Sequence, residues 1–464
     1  MRFTKFGKAL CMGALSAGVV FGITSCVQSY TVGYIYVTGT VTASSGSNGI
    51  ITGIRIDHNT GQMLAINGLP VSSGGANPVR AVLAQGSRFL YVLNRGVSAS
   101  GSADCYGTGA NECLNANITQ FVVGGNGVLT AQETFYTQGL NPFRLLSDTS
   151  GNYILVLDHD APDSGVTTLV SGVPTNSCTL ALTAANGAYC GDVTVFKIDQ
   201  TTGRLSLVEN SQVTAANGSP ITYFPVPANP VDFVFSSSYL LTLTGAPSPT
   251  SSYPYTGGTE VWPYSYGSSG QLTLSQNGVQ GLGIHQGTAI VNASGVIYVL
   301  DNEPVTVTFN GTSTTSKSQI LPFTVGSGGA LQAEVSGVIP DDPILSNPIY
   351  VLVESKGKYV YVANQGSNTT GNNPESGIAA YDLFNSPSFQ LSFMPGEPFG
   401  SGSGPQCIVE DPSDQFIYEA NEYDSTVTGR VLDPNSGELD DMRVTSTYTL
   451  QGQPTWCLVD GRTS

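Results

Sequence analysis

The residues with the most chemical potential fall at repeating places in the chain. One set lies two residues after a recurring proline: Arg80, Arg144, Asp232, Tyr350, Cys407 and Trp456, with Ala289 in the copy that lacks the proline. A second set closes each Tyr-Val-like segment: Asn94-Arg95, Asp158-His159-Asp160, Asp301-Asn302-Glu303, Asn364 and Asn421-Glu422. Brought together, arginines, carboxylates and aromatics suit a polar ligand such as an acid or a sugar. They also suit ester hydrolysis, with Glu422 as the base that activates water and Arg80 or Arg144 polarising a carbonyl. Asn421, Tyr350, Asp232, Trp456 and Cys407 would then contact the ligand. The competing reading makes the same residues hydrogen bonds and ion pairs between repeats.

Other candidates are thinner. The chain has 3 histidines. His58 sits in a short turn, and His159 and His285 sit in or near long loops. Cys407 could be a nucleophile, but the sequence offers it no basic partner. Asp158-His159-Asp160-Ala161-Pro162-Asp163 supplies three carboxylates without the Gly and Glu spacing of a calcium loop, and reads as a solvated acidic loop. Tyr253 and Tyr255 could offer a stacking platform. Trp262, Tyr264 and Tyr266 alternate, so they share one strand face and read as packing. No metal and no cofactor is expected.

These residues are carried by one pattern met seven times. A Pro-led apolar stretch is followed by a turn, then by a Tyr-Val-like strand ending in Asn or Asp. A loop, an alternating strand, a Gly-x-Leu turn and a last strand complete the unit. Pro78, Pro142, Pro230, Pro348, Pro405 and Pro454 lead, with Gly287 in the remaining slot, and Gly-x-Leu turns recur at Gly127, Gly203, Gly270, Gly329 and Gly437. A unit of roughly 63 residues is the period of a propeller blade with loop insertions. The segment Pro454 to Val459 is a first strand without a second, and Tyr34 to Thr38 is a second strand without a first. Joined, they complete one blade. The fold class is therefore all-β: a seven-bladed β-propeller, its ring closed by the N-terminal strand pairing with the C-terminal inner strand. Strand parity places all the long loops on one face, together with the start of each inner strand and the end of each second strand. That face is the expected working face.

The repeat resembles the seven-bladed lactonase family, which includes 6-phosphogluconolactonase and muconate-lactonising cycloisomerases. The closest matches are Tyr359-Val360-Tyr361-Val362-Ala363-Asn364 and Gly404-Pro405 with Asn421-Glu422-Tyr423-Asp424-Ser425-Thr426-Val427. The resemblance implies a cofactor-free lactone hydrolase built around Gly-Pro-Arg-His and a following Asn-Glu. Here Glu422 fills the last position, while Gln406 and Cys407 stand where the family has Arg and His. Two functions stay open. One is a lactonase-like enzyme, and the other is a non-catalytic propeller binding a saccharide, a small acid or an envelope protein.

The rest of the chain bounds the setting. Arg2, Lys5 and Lys8 precede an apolar stretch, Ala9 to Gly22, too short to span a bilayer, and Ile23-Thr24-Ser25-Cys26 resembles a bacterial lipobox. Residues 1–25 then read as a lipoprotein signal peptide. Residues 26–33 read as the lipidated Cys26 with a short tether, and 34–464 as the propeller. This predicts a bacterial envelope protein, extracytoplasmic and lipid-anchored, sorted to the outer membrane where a cell has two. In such a compartment Cys105 and Cys113, and likewise Cys178 and Cys190, are expected to close local disulfides. Cys407 and Cys457 lie on neighbouring inner strands, one residue out of step, and read either as a bond or as two separately buried thiols. With net charge −17 and only 16 Lys and Arg, nucleic acid is not an expected partner. The membrane, through the anchor, and a small polar ligand or envelope protein are; a monomer is expected.

Overall fold

The structure is a computed structural model that describes residues 30–461 except 44–45, 103–104, 106–111, 163–167, 170–189, 215–218, 246–257, 276–279, 294, 310, 334–336, 368–372 and 385–389. The described residues contain no α-helix. Seven antiparallel sheets form the blades of a ring. The inner strands are Gln453–Asp460 in blade 1, Pro78–Ala84 in blade 2, Leu140–Ser147 in blade 3 and Pro230–Ser236 in blade 4. They are Gly287–Ala293, Pro348–Val353 and Pro405–Glu410 in blades 5 to 7.

Blade 1 is made from both ends of the chain. Thr31–Ala43 is its second strand and pairs with Gln453–Asp460, from Tyr34 opposite Asp460 to Thr40 opposite Gln453. The expected closure is the one observed.

The core lies between blades. Second strands such as Phe89–Asn94 and Tyr359–Asn364 are buried at every residue, because both faces of the sheet are covered by neighbours. Their tyrosines stitch one blade to the next. The hydroxyls of Tyr36, Tyr91, Tyr361 and Tyr418 donate to the carbonyls of Gly127, Gly203, Gly437 and Gly61, each in a Gly-led turn of the following blade. Each bond satisfies a buried hydroxyl that would otherwise be costly. The glycine is needed there: Gly203 has φ +74°, and a Cβ at that place would meet the Phe89 ring at 2.7 Å.

The Asn-Pro pairs have a conformational reason. Asn77, Asn141, Asn229 and Asn347 hold φ of 53°, 58°, 57° and 56°, and Gly404 plays the part before Pro405 at 74°. Asn tolerates this left-handed region better than other side-chain-bearing residues. Directly after each such turn the pairing register slips by one residue, between Pro78 and Arg80 and equivalently in the other inner strands. The extra residue is a β-bulge that re-aims the side chains following it. Val79, Phe143, Thr288, Ile349, Gln406 and Thr455 hold the bulge position, all half-buried.

Candidate functional site

The residue after each bulge decides what the central channel contains. Arg80, Arg144, Asp232, Tyr350 and Trp456 line one cavity of about 180 Å³, walled below by Val82, Leu146, Val234 and Asn292. This brings together five of the residues singled out in the sequence.

Within the cavity the charges divide unequally. Arg144 Nε donates to Asp232 Oδ1 at 3.1 Å. Asp232 also accepts from the Phe233 amide at 3.0 Å and, through Oδ2, from the Ile290 amide of blade 5 at 3.2 Å. That carboxylate is therefore saturated across three blades. Arg80 is different. It packs over the Trp456 ring, 4.1 Å from the centroid, and Nη1 donates to the Val79 carbonyl at 2.9 Å. It forms no ion pair among the described residues. Burial, then the nearby Arg144, lowers its pKa, so its charge is held at a cost that an anion would relieve. Tyr350 reaches Trp456 edge-on at 5.3 Å. Burial raises the Tyr350 pKa and keeps it a neutral phenol, a donor beside a cation.

Other sequence expectations come out differently. Cys407 does not line the cavity. Its sulfur is bonded to Cys457, with Cα atoms 5.8 Å apart, so it is neither a nucleophile nor a ligand contact, and the reading of two separate thiols is corrected. Inner strands converge enough near the axis to bring two neighbouring blades within disulfide range. Ala289 is also turned into the core. Asn421 is fully buried and donates to Thr428 Oγ1 at 3.0 Å, which ties the second strand to the third. Asn94 and Asp301 do the same through Asn117 and Gln319. The ends of the second strands are therefore locks inside the blades rather than mouth residues. Cys105 and Cys113 are bonded. Cys178 lies outside the described residues, as do Tyr253, Tyr255 and Asp163. Trp262, Tyr264 and Tyr266 pack in one cluster between blades.

The true lip is one residue further on. Backbone amides of Arg95, Asn302, Gln365 and Glu422 donate to the carbonyl just before the inner strand of the same blade, at 2.7 to 3.0 Å. This pins one residue at the rim in each of these four blades, and in blade 3 His159 holds the equivalent place after Asp158. Glu422 is thus a lip residue of blade 7. Gln365 donates to its Oε2 at 2.8 Å, and Gln406, the bulge residue of its own blade, donates to the same oxygen. It is not among the residues lining the cavity that holds Arg80 and Arg144.

The expectation of a solvated acidic loop at 158–163 is corrected where it is described. Asp158 is fully buried, and Asp160 is 2% exposed. Asp158 faces Asp192 within blade 3, and burial, foremost, raises both pKa values. Asp160 accepts from Asn141 Nδ2 and lies 3.2 Å from His159 Nδ1. Sequence reading named this histidine on the long-loop face but gave it no role. The signal was its position directly after the strand-ending Asp, the place Glu422 holds after Asn421. His285 likewise meets Glu303, at 3.1 Å, but is exposed. His58 stacks on Tyr30 far from the mouth.

Comparison with known proteins agrees at the level of architecture. The periplasmic gluconolactonase of Pseudomonas aeruginosa superposes with TM-score 0.59 at 15% identity, over 92% of this chain and 98% of that one. A candidate 6-phosphogluconolactonase from Bacteroides uniformis gives 0.59 at 13%, over 92% and 99%. This protein has the seven-bladed propeller fold of those lactonase structures. A hypothetical selenium-binding protein from Sulfolobus tokodaii also superposes, with TM-score 0.56 at 10% identity over 94% and 95%. The likeness therefore carries fold and not activity. No family model and no curated protein matches the sequence.

Proposed function

We propose that this chain is an extracytoplasmic, lipid-anchored, lactonase-like propeller that takes a small organic acid, or the lactone or ester of one, into the mouth of its channel. One observation carries the reading. Arg80 is a guanidinium without an ion pair among the described residues, laid on Trp456 beside Tyr350 in a cavity of about 180 Å³. A planar cation with unspent donors is suited to a carboxylate, and the aromatic walls are suited to the carbon face of a sugar acid. Arg144 and Asp232 hold each other and so shape the cavity, and Asp232 offsets the Arg80 charge only in part. The lipobox-like segment before Cys26 and the two disulfides support the extracytoplasmic setting.

The departures at Gln406 and Cys407 argue against family-type hydrolysis at blade 7. A neutral amide donates to Glu422 where the family has a guanidinium, and a disulfide stands where it has an imidazole. Recognition of the acid is the function the geometry supports best.

Titration calorimetry of the exported protein with gluconate, galactonate and glucuronate tests this. Binding in the micromolar to millimolar range is expected, weakened at least tenfold by Arg80→Met, with melting temperature unchanged. No binding by any of the three acids, or equal binding by the variant, would overturn it.

A further inference from the structure

The lip of blade 3 carries a histidine with the surroundings of a general base. His159 is one-third exposed, and its Nδ1 lies 3.2 Å from a carboxylate that is 3% exposed. That carboxylate, Asp160, is fixed in turn. Asn141 Nδ2 donates to it, and Asn141 Oδ1 accepts the Cys113 amide at 2.7 Å. Cys113 is bonded to Cys105, whose carbonyl accepts from Arg95 Nη2 at 2.6 Å. A cross-linked loop of blade 2 thus sets an asparagine of blade 3, which sets the aspartate, which sets the imidazole. An orienter held this firmly selects one ring tautomer and leaves Nε2 as the acceptor.

The same imidazole packs beside the inner strand of its own blade. Its ring lies 6.1 Å from that of Phe143, the bulge residue of blade 3, and the Arg144 guanidinium packs 5.2 Å from the Phe143 ring centre. One aromatic ring therefore separates a base from a cation that lines the cavity.

We propose that His159 is the general base of a hydrolytic site at the lip of blade 3, acting on a lactone or ester whose acid portion is held at Arg80. Nε2 takes a proton from water while the water oxygen bonds to the carbonyl carbon. The carbonyl oxygen takes the negative charge. The carbonyl then re-forms, the C–O bond to the leaving alcohol breaks, and the imidazolium returns its proton to that alkoxide. Water is the only co-reactant, and the products are the acid and the alcohol, joined in one molecule when the substrate is a lactone. Asp160 is a positioning residue that keeps the tautomer.

This rests on the acid-binding reading above, and the experiment separates the two. Hydrolysis of glucono-1,5-lactone and galactono-1,4-lactone is followed by proton release against the spontaneous rate, alongside gluconate and galactonate binding. The wild-type protein is expected to exceed the spontaneous rate. His159→Gln is expected to lower kcat about 100-fold with KM and acid affinity within twofold. Asp160→Asn is expected to lower kcat at least tenfold at unchanged KM. Added imidazole is expected to restore part of the rate to His159→Ala and none to Asp160→Asn. A wild-type protein that binds the acid but hydrolyses neither lactone overturns the base assignment and leaves acid binding standing, and so does full activity in His159→Gln. Failure of both binding and turnover overturns both.

Discussion

The Arg80 guanidinium carbon stands 4.1 Å from the centre of the Trp456 ring, so the first inner strand after the N-terminal half-blade is joined to the last inner strand of the chain by a cation held on an aromatic face. Such a contact is worth about 1 kcal/mol when partly desolvated. Trp456 keeps the guanidinium in one orientation and so spares a ligand that ordering cost. Trp456→Ala is expected to weaken acid binding about fivefold, with a smaller effect from Trp456→Phe. Calorimetry on the two variants checks the order.

Glu419 gives the propeller a pH dependence. It is fully buried in the second strand of blade 7, and among the described residues neither oxygen makes a well-formed hydrogen bond. Burial pushes its pKa up to about 8, with Arg430 and Thr428 opposing only in part. A carboxyl whose folded pKa is raised binds its proton more tightly in the folded state. Stability then falls as pH rises from the unfolded value near 4.3 to about 8, and levels off above that. The matching residue is Val92, Val156, Val299 or Val362 in other blades. Glu419→Val is expected to stabilise the protein on the order of 2 kcal/mol at pH 8 and less at pH 5. Urea midpoints measured across that range would show the flattened slope, and an unchanged slope would refute the assignment.

The two described disulfides close loops of different size. Cys407 and Cys457 are 50 residues apart, and Cys105 and Cys113 only 8. In the chain-entropy account the longer closure contributes about 4 kcal/mol and the shorter about 2.5 kcal/mol. Replacing Cys407 and Cys457 by Ala is therefore expected to cost more in global stability. Replacing Cys105 and Cys113 is expected to act chiefly on the His159–Asp160 pair. Denaturant unfolding and lactone kinetics on the two double variants read these effects separately.

Cys26→Ser tests the setting. The variant is expected to leave the membrane fraction, while the wild-type protein remains there and labels with palmitate. Fractionation of cells expressing each form gives the answer.

The architecture was legible because its determinants are local and repeated. Asn before Pro, Tyr in the second strand and Gly in the last turn each serve one geometric need, met again in every blade. The mouth was legible by position, since counting two residues from Pro78, Pro142, Pro230, Pro348 and Pro454 reaches the cavity lining. Counting failed at Cys407, where a partner 50 residues away decided the outcome. It failed at Asn421 because a polar side chain ending a strand looks alike in sequence whether it faces solvent or a threonine of the next strand. The pairing of His159 with Asp160 was hidden for a related reason. Neighbours in a strand normally point to opposite faces, and only the strand's end at the rim lets the two side chains meet.

The pairing of residues 34–40 with 453–460 also sets a timetable for making the protein. During synthesis the N-terminal half of blade 1 emerges first and must wait for nearly the whole chain. Until then its strand 31–43 presents an open edge, and six blades can assemble but the ring stays unclosed. Completion is thus tied to delivery of the last dozen residues. A chain interrupted shortly before Pro454 would carry almost all of the core yet leave that edge unpaired, marked as unfinished for whatever inspects newly made chains.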